Sequence, residues 1–347
     1  MPRRPFLLGV LLAHAIPAVA NDWGMGEANS RIDPASIFRP LSTPAHEIST
    51  IAIFTVSITT VIFVIVSGLL TYSVVRFRAR RTDDGSEPPQ VYGSGPVEFA
   101  WTAVPVLIVF VLILTTTRSI YTVQAARRPP DAIGVRVVGH QWWWEFEYPG
   151  LGVVTANELH VPVSDPRHPT PTFLELESAD VAHSFWVPRL AGKTDLIPNK
   201  TNIMWIDPHE PGIFLGQCAE FCGTQHALML LRVVVHPRDE WERWVSAQRQ
   251  AAADDPSVAN GRRVFESTAC VNCHVVRGTP ATGRFGPDLT HLMSRETLAA
   301  GAALNTPDNL KAWLRDPAAI KPGALMPAMN LTPRELDDLV AYLVTLN

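Results

Sequence analysis

Two short stretches gather the groups in this chain that bind metals. GQCAEFCGTQHALM, residues 216 to 229, puts Cys218, Cys222, His226 and Met229 within twelve positions, and CVNCH, residues 270 to 274, puts two more thiols beside His274. These are all four cysteines of the chain, too few and too clustered for a disulfide scaffold. By compartment alone, Cys218 and Cys222 in an exported protein could equally be a disulfide. His226 and Met229 turn the reading toward a metal, because a C-x3-C-x3-H-x2-M loop leaving a strand can aim two thiolates, an imidazole and a thioether at one point. Soft sulfur with imidazole is what copper favours. Zinc is the rival for two Cys with two His, but the thioether argues against it. A mononuclear copper site for electron transfer uses one cysteine, so the second thiolate suggests two copper ions bridged by both sulfurs. Such a centre needs another imidazole. AHSFWVP supplies His183 after a strand-like run, although a lone histidine among apolar residues is more often part of a core.

CVNCH is the C-x-x-C-H signature of covalent haem c, in which Cys270 and Cys273 add to the vinyl groups and His274 becomes the proximal ligand. The loop KPGALMPAMN supplies Met326 and Met329 as candidates for the sixth position. A methionine on a loop is by default a gap-filler. Met326 is favoured because Pro322-Gly323 turn the chain before it and Pro327 stiffens the backbone after it. Met329 stands three residues before the helix cap at Thr332, better placed to pack against the helix start.

The elements that must position these groups can be read from texture. With 347 residues, 47% of them apolar, and a formal charge of −4, the chain has room for two or three compact units, and nucleic acid is not an expected partner. Residues 1–20 carry Arg3 and Arg4, an apolar run from Phe6 to Ile16, and Ala18-Val19-Ala20, the pattern of a cleaved secretory signal. A short extracytoplasmic segment, 21–49, follows. Two apolar runs, about Ile51 to Val75 and about Phe99 to Thr117, each suffice to cross a bilayer as a helix, giving a transmembrane hairpin over 50–120. Arg76, Arg78, Arg80 and Arg81 mark the intervening loop as cytoplasmic, so parity puts everything beyond the hairpin outside. Glu98, at the start of the second run, is an ionisable group at a membrane face and hence a functional candidate. Short β-branched and aromatic runs from Ala132 to about His236, within a domain over 131–245, predict an antiparallel all-β sandwich or barrel. An alanine-rich connector, 246–258, leads to an all-α region, 259–347, which closes on a helix with a Thr332/Glu335 capping box and an apolar face of Leu336, Leu339, Val340 and Leu343.

HSFWVPRLAGKTDLIPNK followed by GQCAEFCGTQHALM, together with GHQWWWEFEY, closely resembles subunit II of the haem-copper cytochrome c oxidases, from the first span to about residue 245. The segment 259–347 resembles a class I cytochrome c, with Gly261 and Phe265 on the helix before CVNCH and GPDL at 286 to 289. The resemblance implies a multidomain membrane protein of the caa3 type: a two-helix hairpin, a cupredoxin-like domain holding binuclear CuA, and a fused cytochrome c. It implies copper ligation by His183, Cys218, Cys222, His226, Met229 and the backbone carbonyl of Glu220, whose side chain would reach a magnesium or manganese ion at the boundary with subunit I. It also places Trp142 where electrons enter the copper centre and Glu98 at the mouth of a proton path, and makes the methionine before proline, Met326, the haem ligand. Trp143 stands where the family commonly has another aromatic. The implied partners are subunit I and other oxidase subunits, with cytochrome c or a bc1-type complex as donor, in the bacterial inner membrane with the copper and haem domains periplasmic. The implied function is electron delivery to a proton-pumping oxidase. The copper-bearing subunit of a nitric oxide reductase and a membrane-anchored electron carrier are the alternatives.

Overall fold

The computed structural model describes residues 32–33, 35–78, 87, 89–125, 128–130, 132–165, 167 and 169–347. The expected signal sequence, and Arg80 and Arg81 of the interhelical loop, lie outside the described residues. A two-residue strand β1 (Ile32–Asp33) precedes two long helices, α1 (Thr43–Arg76) and α2 (Gly95–Gln124). Both are apolar and long enough to cross a membrane, and their large side chains, such as Phe63 and Phe99, face outward rather than into protein. Both helices outrun the apolar segments that announce them. The apolar run measures the hydrocarbon crossing, whereas the helix continues until its end groups find partners.

For the start of α1 and the end of α2 those partners are near neighbours in one segment of the β domain. Asp207 takes the amide of Thr43 at 2.7 Å and the hydroxyls of Ser42 and Thr43 at 2.7 and 2.6 Å, capping the start of α1 with a negative charge. Two residues earlier, the Trp205 indole donates to the carbonyl of Val123 near the end of α2 at 2.7 Å. The β domain therefore sits on the paired ends of the hairpin. Glu98, in the first turn of α2, lies about 26 residues or roughly 39 Å along the helix from that end.

The β domain is a sandwich, and its pairing is mixed rather than wholly antiparallel as expected, with parallel neighbours in both sheets. One sheet runs β4 (Val153–Ala156), β3 (Trp143–Tyr148), β2 (Ile133–His140), β6 (Thr172–Ser178) and β9 (Asn202–Ile206). The other runs β5 (Glu158–Pro162), β11 (Leu230–His236), β10 (Gly212–Cys218), β7 (His183–Trp186) and β8 (Thr194–Leu196), with β1 alongside β10. Alternation drives the burial: Val135 and Val137 of β2, and Leu174 and Leu176 of β6, point inward, while Arg136, Glu175 and Glu177 point out. Trp144, Phe146 and Phe185 fill the centre, with Phe185 edge-on to both neighbours at 5.8 and 6.4 Å.

Helix α3 (Arg238–Gln248) follows, and the chain then enters the helical domain: α4 (Ala259–Ser267), α5 (Cys270–Cys273), a small hairpin of β12 (Thr297–Leu298) and β13 (Ala303–Leu304), then α6 (Pro307–Arg315), α7 (Pro317–Ile320) and α8 (Pro333–Leu343). Helices α4 and α8 cross at Gly261, where a Cβ would fall 1.8 Å from the Asp338 carbonyl, so only glycine permits the approach. The capping box of Thr332 and Glu335 is formed, and Leu336, Leu339, Val340 and Leu343 are buried as their periodicity requires.

Candidate metal centre and haem cleft

Three neighbouring strands carry the metal-binding groups. His183 opens β7, Cys218 ends β10, and Met229 stands at the start of β11, with the Cys218 amide donating to the Met229 carbonyl at 2.9 Å. The loop between them carries Cys222 and His226. It turns at Gly223 with φ +115°, and a Cβ there would press on the Trp142 ring at 3.0 Å. All five side chains converge. The two sulfurs are 3.8 Å apart; His183 Nδ1 faces Cys218 at 4.0 Å, His226 Nδ1 faces Cys222 at 3.7 Å, and Met229 Sδ lies 3.8 Å from Cys222. The carbonyl oxygen of Glu220 lies 3.2 Å from the Cys218 sulfur.

Spacings near 3.8 Å match donors that share an ion at about 2.3 Å from sulfur and about 2.0 Å from nitrogen. Six donors with both thiols central exceed what one tetrahedral ion uses, and the thioether selects copper. The pair is electrostatically asymmetric: burial pushes both thiols up, but hydrogen bonding with His183 pulls Cys218 down to about 6. Cys222, buried beside that thiolate, is pushed up to about 12. Among the described residues, His183, Cys218 and Cys222 are the one close cluster of ligating Cys, His and acidic groups. The Glu220 carboxylate is turned away from it, half-exposed beside Lys193 at 3.8 Å.

Several residues around this centre escape a reading by motif. Asp180 accepts from the far nitrogen of His183 at 2.8 Å, fixing the imidazole as ligand-orienting carboxylates do. Its only signal in sequence is an acid three positions before a histidine. Gln141 and Trp142 both donate to the Cys222 carbonyl, at 2.8 and 2.9 Å. The three tryptophans divide the work. Trp144 belongs to the core, Trp143 stacks on His140 at 4.2 Å and packs against Ala300 of the helical domain, and Trp142 touches the copper-binding loop.

A cleft of about 440 Å³ opens in the helical domain, within the range of cofactor pockets. Cys270, Cys273 and His274 line one wall, and Met326 and Met329 also line it. Both thiols are free, and His274 Nδ1 lies 2.8 Å from the Pro287 carbonyl, which makes it the donor and leaves Nε2 as the ligating nitrogen. Burial holds His274 below the usual histidine range, favouring the neutral imidazole that iron requires. The residues fit a covalent haem. Trp142, Trp143 and Gln141 of the β domain complete the same cleft. Glu98 stands apart from both sites, its carboxylate accepting from the Ser94 amide at 3.1 Å at the far end of α2.

Comparison with known proteins agrees with this layout. Family models match in three places: "Cytochrome C oxidase subunit II, transmembrane domain" at residues 34–118, "Cytochrome C oxidase subunit II, periplasmic domain" at 168–236, and "Cytochrome c" at 258–347. Cytochrome c oxidase subunit 2 of Alkalihalophilus pseudofirmus is 36% identical over 304 residues, covering 85% of each chain. That of Bacillus sp. strain PS3 is 34% identical, covering 78% of this chain and 80% of its own. The periplasmic domain of subunit II of cytochrome oxidase from Bradyrhizobium japonicum, a crystal structure, is 28% identical with a TM-score of 0.33, covering 35% of this chain and 97% of its own. Copper and haem c follow from these families, as does membership of an oxidase complex anchored by two spans. An alignment running through hairpin, copper domain and haem domain alike leaves one conclusion: this chain belongs to the cytochrome c oxidase subunit 2 family, in the form that carries a cytochrome c domain.

Proposed function

We propose that this chain takes electrons into its cytochrome domain and hands them through its copper domain to subunit I of a proton-pumping oxidase, where oxygen is reduced to water. Haem and copper, when bound, supply reversible one-electron chemistry. His183, Cys218, Cys222, His226, Met229 and the Glu220 carbonyl would hold the copper pair. Cys270 and Cys273 would hold the haem covalently, and His274 and Met326 would ligate its iron. The observation that carries this reading is that the two sites share a residue. Trp142 lines the haem cleft, and its indole donates to the carbonyl of Cys222 at 2.9 Å. Trp142 thus provides the short bonded bridge, while Trp143 and Gln141 line the cleft beside it.

The remaining assignments rest on placement. The domain limits are those expected from sequence, hairpin 50–120, copper domain 131–245, connector 246–258 and haem domain 259–347, although the hairpin helices extend from Thr43 to Gln124 and α3 runs three residues into the connector. The hairpin seats both cofactor domains at one membrane face, which the arginine-rich loop makes the periplasmic one, with cytochrome c or a bc1-type complex as donor. Glu98, at the opposite face, is suited to take protons from the cytoplasm. The Glu220 carboxylate, outside the copper cluster and near the surface, is free to meet a magnesium or manganese ion at subunit I. The test is Trp142→Phe in the purified complex, which keeps a ring but removes the indole donor. Electron transfer from haem to copper should slow while both centres keep their spectra. Unchanged transfer would overturn Trp142 as the bridge.

A further inference from the structure

The connector between the two cofactor domains invites the picture of a haem domain swinging on a tether. The structure shows a different arrangement. Arg249 donates to the Leu151 carbonyl of the copper domain at 2.7 Å, and Ala252 donates its amide to Arg277 of the haem domain at 3.1 Å, so the connector is pinned on both sides. Besides Arg232 of β11, which pairs with Glu296 of the haem domain at 2.7 Å, two buried ionisable side chains cross the boundary. The Glu158 carboxylate, on β5, accepts the amides of Glu296 and Thr297 at 2.9 Å each, and the Thr297 hydroxyl at 3.0 Å. Lys321, from the loop before Met326, sends its ammonium to the Trp142 carbonyl at 2.8 Å and to Ala299 at 3.1 Å. They are 1% and 3% exposed.

Burial pushes the Glu158 carboxyl up and the Lys321 ammonium down to about 7; holding either one charged out of water is expensive, and an apolar contact of the same size would adhere as well or better. Charges satisfied by backbone groups of fixed direction do something an apolar contact does not: they accept one pose and penalise its neighbours. Here the pose is the one that matters. Lys321 grips the backbone of Trp142 itself, while the carbonyl of Pro322, next in sequence, accepts from Gln225 of the copper-binding loop at 2.9 Å. The loop that carries Met326 and the loop that carries Cys222 and His226 are thereby bonded to each other.

We propose that Glu158 and Lys321 are positioning residues that clamp the haem domain onto Trp142, so that the electron crosses from a fixed pose rather than during an excursion of a tethered domain. The proposal rests on the electron route given above. Glu158 lies outside the haem cleft, whereas Lys321 is among the residues that line it.

The experiment uses the intact oxidase complex, with an electron injected into the haem domain by a photoexcited ruthenium dye and its arrival at copper followed in buffers of rising viscosity. The unaltered protein should show one phase whose rate ignores viscosity. Lys321→Met or Glu158→Gln should each raise the undocked-to-docked ratio roughly tenfold, the usual weight of a hydrogen bond to a charged group. A slower, viscosity-dependent phase should then appear, with haem potential and copper spectrum unchanged in Glu158→Gln, whose side chain lies outside the haem cleft, and Lys321→Arg should restore much of the single phase. Hydrogen exchange at the amides of Glu296 and Thr297 gives a readout that needs no electron transfer: protected in the unaltered chain, released in Glu158→Gln. Viscosity-dependent transfer in the unaltered protein, or variants matching it in both rate and exchange, would overturn the clamp. If instead no electron passes from haem to copper while the amides respond as stated, the electron route fails and the clamp stands.

Discussion

Gly286→Ala tests the proximal side of the haem site at a single atom. The added Cβ would lie 2.5 Å from Cε1, 2.9 Å from Nδ1 and 3.1 Å from Nε2 of His274. Nonbonded carbons prefer about 3.5–4.0 Å, so the imidazole must retreat by roughly 1 Å. It cannot do so and keep the 2.8 Å bond from Nδ1 to the Pro287 carbonyl. Losing that bond costs about 1 kcal/mol and crowding the packed ring about 1–3 kcal/mol, together about 2–4 kcal/mol. In a domain of this size each kcal/mol moves the melting temperature by about 4–8 °C, so a fall of roughly 8–30 °C is expected. The bond also makes the imidazole a stronger donor to iron, and its loss should raise the haem potential. Thermal unfolding followed at the haem absorption band, with potentiometry on the same sample, measures both effects. A variant that melts within about 2 °C of the parent at an unchanged potential would refute the argument, because neither the crowding nor the bond could then be as described.

Other expectations follow from the same geometry. Met326→Ala should abolish the long-wavelength iron–sulfur band of the oxidised haem and lower its potential, while Met329→Ala leaves the band; the reverse result would move the ligand role to Met329. Glu98→Gln should slow steady-state turnover with haem-to-copper transfer unaffected, and equal turnover across pH would remove Glu98 from the proton path. With Cys218 lowered to about 6 and Cys222 raised to about 12, the metal-free chain at neutral pH holds one thiolate and one thiol. Copper uptake must then expel the Cys222 proton while Cys218 binds already ionised, so affinity should rise with pH, and release of a proton from each of the two thiols at neutral pH would contradict the asymmetry.

What the sequence discloses and what it hides divide along a physical line. Local signals survive in a string of letters. The apolar runs, the Thr332 capping box, the alternation of β2 and β6 and the spacing of CVNCH each depend on residues close in sequence, and each reappears in the fold. The copper site is partly of this kind, since five of its six donors share one stretch of twelve residues, whereas His183 reaches it only through the pairing of β7 with β10. Glu158, Lys321, Asp180 and Asp207 show the other limit. A charged residue in a polar run reads as solvated surface, and nothing within ten positions of Lys321 announces that its ammonium is buried against Trp142, 179 residues away. The ends of α1 and α2 were hidden for the same reason, because Asp207 and Trp205 cap them from across the chain.

The copper content of the purified intact chain tests the central claim most directly. Expressed with copper available, it should hold two copper ions per chain, and in the half-reduced state a single unpaired electron should couple equally to both nuclei in the magnetic resonance spectrum. Cys218→Ser or Cys222→Ser should destroy that signal, since each thiol is central to the donor set. One copper per chain with the ordinary four-line pattern, or stoichiometric zinc in its place, would contradict the account.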